Sequence, residues 1–368
     1  MNTLRILGIR GVPAAHGGFE TFAEHLSLYL VEKGWRVIVY CQEDGDGKTY
    51  EDTWRGVVRV NIPVSQSGPM GTVVFDWKST AHAAKHNDLC LTLGYNTATF
   101  CILLKLRGIA NVINMDGIEW SRMKWGRLAK LWFWVNDWIG CWVGTHLVAD
   151  HPEILNHLAT RVRRKKITMI PYGADPVYPD KVIPVEDLNY ELKAGKFLTV
   201  IARPEPENSI LEIVKGFSVK RRGIKLVVLG NYDSNNSYHN AIKRSASSEV
   251  IFVGAIYDKS IVQALRVHSA GYIHGHQVGG TNPSLVEALG AGNAVIAHDN
   301  KFNRWVAGKG AVYFKNANDF AVCIDILMND LKELENLRKE ALLRFESKFT
   351  WSNILNQYEE LLEKHLQK

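Results

Sequence analysis

Short apolar runs alternate with segments of helical apolar spacing along the first half of the chain. The runs predict strands at Leu4–Ile9, Arg36–Cys41, Val57–Ile62, Leu89–Leu93, Asn111–Met115 and Ile167–Ile170. The spaced segments predict helices at Glu20–Lys33, Val73–Lys85 and Thr97–Leu106, and Ser65–Thr72 is predicted as a Gly/Ser/Pro loop. Strands that are apolar throughout and separated by helices indicate a parallel sheet covered on both faces.

The second half of the chain repeats this pattern. Its strands are predicted at Phe197–Ile201, Lys225–Leu229, Val250–Val253, Gly271–His274 and Ala294–Ala297. Its helices are predicted at Ser209–Val219, Lys259–His268, Pro283–Gly290, Asp319–Met328, Leu331–Phe345 and Trp351–Gln367. We therefore predict two domains, 1–170 and 196–345, with a proline-rich hinge at 171–195 and a closing segment at 346–368.

Two such α/β domains, each Rossmann-like with a doubly wound parallel sheet, are predicted to face each other across a cleft. Ligands of open parallel sheets bind beyond the carboxyl ends of the strands. The loops after the predicted strands are therefore the places to look for chemistry.

Composition excludes several classes of protein. The 368 residues carry 44 Lys+Arg and 38 Asp+Glu, a net charge of +6, which is too mild for a nucleic-acid binder. The five cysteines are scattered without CxxC spacing, so neither a disulfide framework nor a zinc site is expected. No apolar run approaches the ~20 residues of a membrane span, and the short apolar start is no secretory leader, so a cytoplasmic location is expected.

A glycine-rich loop follows the first predicted strand and opens the first helix. Gly17 and Gly18 would allow close backbone approach, and unpaired N–H groups at the helix start can bind an anion. The spacing is neither that of a dinucleotide-binding fingerprint nor that of a P-loop. A glycine turn needed only for packing is the alternative.

In the second half, two loops carry candidate anion-binding groups. Arg203 follows the strand Phe197–Ile201 and could bind phosphate oxygens bidentately, unless it pairs with Glu205 or Glu207. In the other loop Thr281 or Asn282 is a natural N-cap before Pro283. One helical turn later, the Glu287 carboxylate could accept two hydroxyl hydrogen bonds; a plain surface glutamate is the alternative.

Two further clusters carry acidic or metal-ligating side chains. Asp116 and Glu119 follow the strand Asn111–Met115 and could position or deprotonate a hydroxyl, whereas a helix cap at Asp116 is the alternative. His274 and His276 would share one face of a strand end, but no third zinc ligand is near in sequence. Asp44-Gly45-Asp46 is predicted to be a turn, so no metal site is expected.

Four long phrases, GIRGVPAAHGGFETFAEHL, MDGIEWSRMKWGRLAK, ARPEPENSI and GGTNPSLVEALGAGNAVIAHDNKFNR, together resemble family 4 glycosyltransferases of the GT-B fold. The resemblance covers nearly the whole chain and is narrowest to the bacterial rhamnosyltransferase-like subgroup of cell-surface polysaccharide synthesis. It implies that the closing helix packs back on the first domain. It also implies no cofactor and no metal ion.

The resemblance assigns roles to individual residues. Gly17, Gly18 and Arg203 would bind the donor diphosphate, Gly280, Thr281 and Asn282 would lie in the donor loop, and Glu287 would bind the nucleotide ribose. Asp116, with Glu119 beside it, falls where many members have an acceptor-side histidine. Two positions depart from the family pattern: Gly279 replaces a glutamate and Asn208 replaces a phosphate-binding lysine.

The implied reaction is retaining transfer of L-rhamnose from dTDP-L-rhamnose to a lipid-linked saccharide acceptor. Alternatives are a nucleotide-sugar epimerase of the same fold, a catalytically inactive binding subunit of a polysaccharide assembly complex, and, more distantly, a nicotinamide-dependent dehydrogenase. The departures at Gly279 and Asn208 keep the inactive subunit open.

Six tryptophans lie between Trp120 and Trp142, interleaved with basic residues. Indoles suit the headgroup region of a bilayer and cations suit anionic lipid, so this segment predicts peripheral contact with an anionic membrane surface, at the inner face of the plasma membrane. The basic run Arg161–Lys166 could share that face. A buried helix at Lys130–Val143 is the alternative, with the basic run as a solvated turn.

Overall fold

The computed structural model describes residues 1–15, 17–188 and 190–366, which form two compact units. Unit 1 comprises Met1–Tyr172 and Trp351–Lys368, and unit 2 comprises Gly173–Thr350. The end of the predicted closing helix, Gln367, lies outside the described residues.

An eight-stranded sheet forms the centre of the described part of unit 1. Its strands are β1 Thr3–Leu7, β2 Arg36–Asp44, β3 Tyr50–Trp54, β4 Val57–Val64, β5 Leu89–Leu93, β6 Asn111–Asn114, β7 His146–Ala149 and β8 Ile167–Met169. Their order is β3-β4-β2-β1-β5-β6-β7-β8, and every neighbouring pair is parallel except β3 with β4. The sheet is therefore mixed, whereas the sequence predicted only parallel strands.

The antiparallel strand arises from a two-residue hairpin. Arg55 and Gly56 both have positive φ, at 49° and 85°, and Trp54 pairs with Val57 across the turn. Two left-handed residues match the twist of a tight hairpin. A second difference lies at residues 65–72, where helix α2 already begins at Gly68, with Pro69 in its first turn.

Five α-helices lie between the strands in the described residues of Met1–Tyr172. They are α1 Gly18–Glu32, α2 Gly68–Ala83, α3 Ile102–Leu106, α4 Arg127–Val143 and α5 Pro152–Ala159. Helix α1 buries Phe22, Leu26 and Leu30 against the sheet because these positions recur at helical spacing. The sheet itself is apolar on both faces, as its continuous apolar strands require.

Unit 2 has a six-stranded, wholly parallel sheet in its described part. The strands are β9 Phe197–Ile201, β10 Lys225–Leu229, β11 Val250–Gly254, β12 Gly271–His274, β13 Val295–His298 and β14 Ala311–Phe314. The helices are α6 Ile210–Ser218, α7 Ser237–Arg244, α8 Lys259–Val267, α9 Pro283–Gly290, α10 Lys301–Ala307, α11 Ala317–Asn329 and α12 Leu331–Lys348. Two of them, α11 and α12, add Phe320, Ile324 and Leu337 to the core.

The segment between the sheets and the last helix are both packed. Val185 and Leu192 are buried in a cluster with Phe197, so this part of the predicted hinge belongs to the core of unit 2. Helix α13, Trp351–Glu363, lies in unit 1, where the Tyr358 ring is 4.5 Å from that of Phe22.

Strand order places a switch point in each sheet. In unit 2 the order is β11-β10-β9-β12-β13-β14, so the chain leaves β9 toward one side of the sheet and β12 toward the other. In unit 1 the same reversal occurs between β1 and β5. Because connections diverge there, the carboxyl ends of these strands leave a crevice that ligands of open α/β sheets occupy.

Candidate active site

Arg203 lies at the switch point of unit 2, in the loop that follows β9. Its guanidinium is exposed and makes neither an ion pair nor a hydrogen bond within the described ranges, so it does not pair with Glu205 or Glu207. Its carbonyl instead accepts the Asn208 side-chain amide at 2.8 Å. Asn208, where the family pattern has a lysine, therefore closes the turn while the Arg203 cation stays available.

The loop before α9 is bonded directly to the Arg203 loop. The Gln277 amide donates to the Glu207 carbonyl at 2.9 Å, and Ser209 Oγ donates to the Gly275 carbonyl at 2.8 Å. A Cβ at Gly275 would lie 2.0 Å from the Asn208 carbonyl oxygen, so this close approach requires glycine. The structure thus brings together the two loops that the sequence singled out as candidates for anion binding.

The second of these loops ends at the N-terminus of α9. Asn282 is the N-cap, since its side-chain oxygen accepts from the Ser284 amide at 3.0 Å, and Pro283 follows as the first helical residue. Thr281 is buried, and Gly280 is half-buried. Backbone N–H groups at such a helix start favour negative charge.

Gly279 departs from the family pattern through its backbone as well as its side chain. Its φ is +135°, a region that side chains rarely adopt, although a Cβ there would meet nothing within 4 Å. A glutamate at this position would therefore be strained by conformation rather than by lack of space.

Two histidines that precede the loop before α9 have stacked rings. The rings of His274 and His276 are 4.4 Å apart, and burial lowers the pKa of His274 well below its ordinary value, which keeps this imidazole neutral. Within the described residues, no group of three or more His, Cys, Asp or Glu side chains could hold a metal ion.

Two asparagines at the start of α10, which the sequence analysis did not single out, hold the backbone of the loop before α9. Asn300 and Asn303 donate to the His276 carbonyl at 2.9 and 2.8 Å. Asn300 also caps α10, which is the one local signal that could have drawn attention to it.

In unit 1 the glycine loop follows β1 at that unit's switch point. Gly8 has φ +83°, and a Cβ there would lie 2.3 Å from the Leu93 carbonyl oxygen; Gly11 has φ +139° beside Cys41. Gly17 is in extended backbone at the N-cap of α1, which Gly18 begins. The positions that demand glycine are therefore Gly8 and Gly11, while Gly17 and Gly18 supply the helix start.

Asp116 follows β6 in a strained conformation. Its φ is +53°, and its amide donates to the Asn114 side-chain oxygen at 3.0 Å. The Asn114 amide in turn donates to the Tyr358 hydroxyl at 2.8 Å, so α13 supports this loop. Burial, and then the charge of Glu119, raise the pKa of the Asp116 carboxyl.

The buried carboxylate of Glu119 binds three donor groups. Its carboxylate accepts from the Trp125 indole at 2.8 Å and pairs with Arg122 at 2.9 Å and Lys124 at 3.1 Å. Both oxygens of the Glu119 carboxylate already bind side chains of residues 122–125. Asp116 is therefore the better placed of the two carboxyls for proton exchange.

Comparison with known proteins identifies the chemistry of unit 2. Residues 190–344 match the model described as glycosyl transferases group 1, and residues 1–175 match a domain of unknown function, DUF1972. The chain is a glycosyltransferase of the GT-B type. No curated protein matches this glycosyltransferase.

Solved structures share its fold at low identity. Sucrose-phosphate synthase from Thermosynechococcus elongatus is 16% identical with a TM-score of 0.78, and 99% of each chain is covered. HepE of Anabaena, in complex with UDP, is 14% identical with a TM-score of 0.75, covering 99% of this chain and 100% of its own. A UDP-forming trehalose-phosphate synthase from Burkholderia vietnamiensis is 12% identical with a TM-score of 0.76, at the same coverage.

Glu287 of the glycosyltransferase is held by a buried arginine of α8. Arg266 donates to the Glu287 carboxylate at 2.5 Å and to Ser284 Oγ at 3.1 Å. The Tyr272 hydroxyl bonds the same Ser284 Oγ at 2.7 Å. The Arg266 side chain is 7% exposed and that of Glu287 38%, so one carboxylate edge is fixed while the residue still reaches solvent.

The resemblance assigns Glu287 to the nucleotide ribose, so we expect Arg266→Met to raise the KM for the nucleotide-sugar donor by about tenfold, with a smaller change in kcat, through a misplaced Glu287. Arg266→Lys should recover part of the loss, since it restores the charge without the fork that reaches both partners. Steady-state kinetics of both variants, with melting curves to verify folding, check this. An unchanged donor KM in a folded Arg266→Met variant would contradict the role.

Helix α4 buries two polar residues and exposes a row of apolar ones. Its buried positions are Asn136, Asp137, Gly140, Cys141 and Val143. The exposed apolar positions are Leu128, Leu131, Trp132, Trp134, Val135, Trp138 and Trp142, which we call the α4 outer face. The two polar residues can be buried because both are hydrogen-bonded. Asn136 accepts from the Thr99 amide and hydroxyl, and Asp137 accepts from the Trp120 indole.

Basic residues border the α4 outer face at its C-terminal end. Lys105 lies 5.3 Å from the centre of the Trp142 ring, and Lys166 donates to the Cys141 carbonyl at 2.8 Å. Arg163, Arg164 and Lys165, which precede Lys166 in the chain, lie on an exposed turn. No helix among the described residues is both long and apolar enough to span a bilayer.

Proposed function

We propose that this glycosyltransferase transfers L-rhamnose from dTDP-L-rhamnose, with retention, to a lipid-linked saccharide of a bacterial surface polysaccharide. The main support for a donor site in unit 2 is Arg203, which is exposed and unpaired within the described residues. Its loop lies at the switch point of the unit 2 sheet and is hydrogen-bonded to the loop that precedes α9. The choice of sugar and of acceptor class is supported by the resemblance of the four long phrases to the rhamnosyltransferase-like subgroup.

In the proposed mechanism the sugar–phosphate bond breaks and negative charge develops on the departing nucleoside diphosphate. The Arg203 guanidinium and the amides at Gly280, Thr281 and Asn282 are proposed to meet that charge in a preorganised site. Glu287, fixed by Arg266, is proposed to accept hydrogen bonds from the ribose hydroxyls.

Unit 1 is proposed to supply the remaining groups. The amides at Gly17 and Gly18 form a helix start that suits an anion. Asp116, whose pKa is raised, exchanges a proton with an acceptor hydroxyl closer to neutral pH than an ordinary aspartate would. Glu119 positions this loop through its three donors.

A donor screen tests the proposal. Purified protein is incubated with a panel of nucleotide sugars and membrane extracts that contain lipid-linked saccharides, and nucleoside diphosphate release and labelled lipid product are measured. We expect turnover with dTDP-L-rhamnose and product that requires the lipid acceptor. Turnover of the free nucleotide sugar to an epimer without acceptor would replace the proposal with the epimerase, and turnover only with another donor would overturn the sugar assignment.

We also propose that the α4 outer face binds an anionic membrane surface. A row of exposed indoles bordered by lysines and arginines complements the acyl chains and the anionic headgroups of a membrane. This attachment would bring the enzyme to its lipid-linked acceptor.

Replacing three residues of this face tests the membrane proposal. We expect Leu131→Ala, Trp134→Ala and Trp142→Ala combined to reduce binding to phosphatidylglycerol vesicles by about tenfold or more, because apolar area is lost from the interface. Trp138 is retained because Arg161 stacks on its ring. Flotation is compared with Tyr257→Ala, an exposed aromatic in unit 2. Equal flotation of both variants, or no wild-type binding at low salt, would refute the surface.

A further inference from the structure

The chain that follows β10 contacts the backbone on both sides of Arg203. Gly230, which directly follows β10, has φ +148°, and a Cβ there would lie 2.6 Å from the Ala202 carbonyl oxygen, so this approach requires glycine. On the other side of Arg203, the Pro204 carbonyl lies 3.1 Å from Nε2 of His239, a residue of α7. Both neighbours of Arg203 in the chain are therefore held from the same direction.

The two partners of His239 determine which ring nitrogen carries the proton. Nδ1 lies 2.9 Å from the backbone nitrogen of Asp233, and because a backbone N–H can only donate, Nδ1 is the acceptor. Nε2 therefore carries the proton and donates it to the Pro204 carbonyl, which can only accept. An imidazole with one accepting and one donating nitrogen thus links the loop after β10 to the loop that contains Arg203.

Aromatic packing holds the His239 ring in this orientation. The ring of Tyr232 meets it edge-on, with the centroids 5.5 Å apart, and the same tyrosine packs on Phe252 of β11 at 4.9 Å. His239 is half-buried as a result. A side chain whose ring is packed on one side and bonded at both nitrogens has little freedom to turn, so its bond to the Pro204 carbonyl is directional.

The backbone around Arg203 is consequently held at three successive carbonyls. Gly230 lies against the first, Asn208 donates to that of Arg203 itself, and His239 donates to the third. The guanidinium, in contrast, has no partner within the described residues. A long side chain loses less freedom on binding an anion when its backbone is already fixed, so these contacts favour binding at Arg203.

We propose that His239 is a positioning residue of the glycosyltransferase and acts on the nucleotide donor through Arg203. Its Nε2–H holds the Pro204 carbonyl and thereby fixes the backbone from which the Arg203 guanidinium reaches an anion. The bond from the Asp233 amide orients the imidazole and has no direct effect on Arg203. That the anion at Arg203 is the donor diphosphate rests on the proposed function.

Conservative variants separate the two bonds of His239. His239→Gln places an amide N–H near the position of Nε2 and keeps the donor to Pro204, whereas His239→Asn places an oxygen near Nδ1 and keeps only the bond from Asp233. Calorimetry measures the binding of dTDP, UDP and GDP to the full chain, and the tightest of the three is used for all variants. We expect His239→Ala and His239→Asn to weaken it about fivefold, as loss of one hydrogen bond implies, and His239→Gln to bind it within about twofold of wild type.

The matched control is Asn240→Ala. The Asn240 amide donates to the Ser234 carbonyl at 2.7 Å, so this substitution removes a bond between the same helix and the same loop without affecting the Arg203 loop. It should bind the nucleotide like wild type, and melting curves verify that each variant is folded. Equal affinities of His239→Ala and Asn240→Ala would overturn the proposal, and so would a His239→Gln variant as weak as His239→Ala.

A double-mutant cycle tests whether His239 acts through Arg203. We expect Arg203→Ala alone to weaken the nucleotide about tenfold, and His239→Ala to cause no further loss in that background. The same loss from His239→Ala in both backgrounds would overturn this proposal and leave the donor assignment of Arg203 intact. Unchanged nucleotide affinity in Arg203→Ala would overturn the donor assignment, and this proposal with it.

Discussion

Replacing Arg203 by alanine is expected to lower kcat for sugar transfer by about 10²–10³-fold, the loss typical of one preorganised donor to developing charge. The guanidinium is exposed and unpaired within the described residues, so its removal leaves no buried charge and should not change folding. Its loop remains closed because Asn208 bonds the Arg203 carbonyl, which the substitution keeps.

Two companion variants sharpen this result. Arg203→Lys should recover part of the activity, since a lysine supplies charge but no bidentate fork. Arg221→Ala removes an arginine whose side chain is 94% exposed in the same unit, and it should be neutral. Initial-rate assays with the preferred donor measure kcat for each variant. A kcat for Arg203→Ala within twofold of that for Arg221→Ala would remove Arg203 from the mechanism.

The second large effect is on stability. Asp137→Ala is expected to destabilise unit 1 by roughly 3–5 kcal/mol, because it leaves a buried cation without its partner. The Asp137 and Arg161 side chains are 2% and 5% exposed, and they form a close ion pair. The same carboxylate oxygen also accepts from the Trp120 indole at 2.8 Å and contacts His157 at 3.1 Å.

Chemical denaturation followed by tryptophan fluorescence measures this loss. All tryptophans except Trp305 lie in unit 1, so the signal follows the affected unit. Asp46→Ala, an exposed aspartate of the same unit, is the matched control and should leave the midpoint unchanged. A midpoint for Asp137→Ala equal to that of the control would show that the network contributes nothing to folding.

Long apolar runs made much of the fold predictable. The strands β5, β9, β10 and β12 and the helix α9 lie at the predicted bounds, because polar or glycine residues lie at or close to the ends of each run. The β3–β4 hairpin was not predicted, since its turn is Arg55-Gly56 rather than a strong hairpin pair such as Asn-Gly. Its strand Tyr50–Trp54 is largely exposed and therefore lacks an apolar run.

Helix α4 shows a different limit of sequence reasoning. A pattern with apolar residues all around predicts either a buried or an interfacial helix. Which side faces the protein depended on distant partners, since Thr99 binds Asn136 and Arg161 binds Asp137. Those bonds turned the two polar residues inward and left the tryptophans outside.

The sequence by itself determined the two α/β units and the candidate chemistry at their strand ends, because burial follows from apolar runs and helix starts follow from capping residues. Tertiary structure alone decided which charges are free. Glu287 is fixed by Arg266 from another helix, while Arg203 is unpaired in the described chain. Such pairing depends on distances of a few ångströms between side chains, which sequence spacing does not encode.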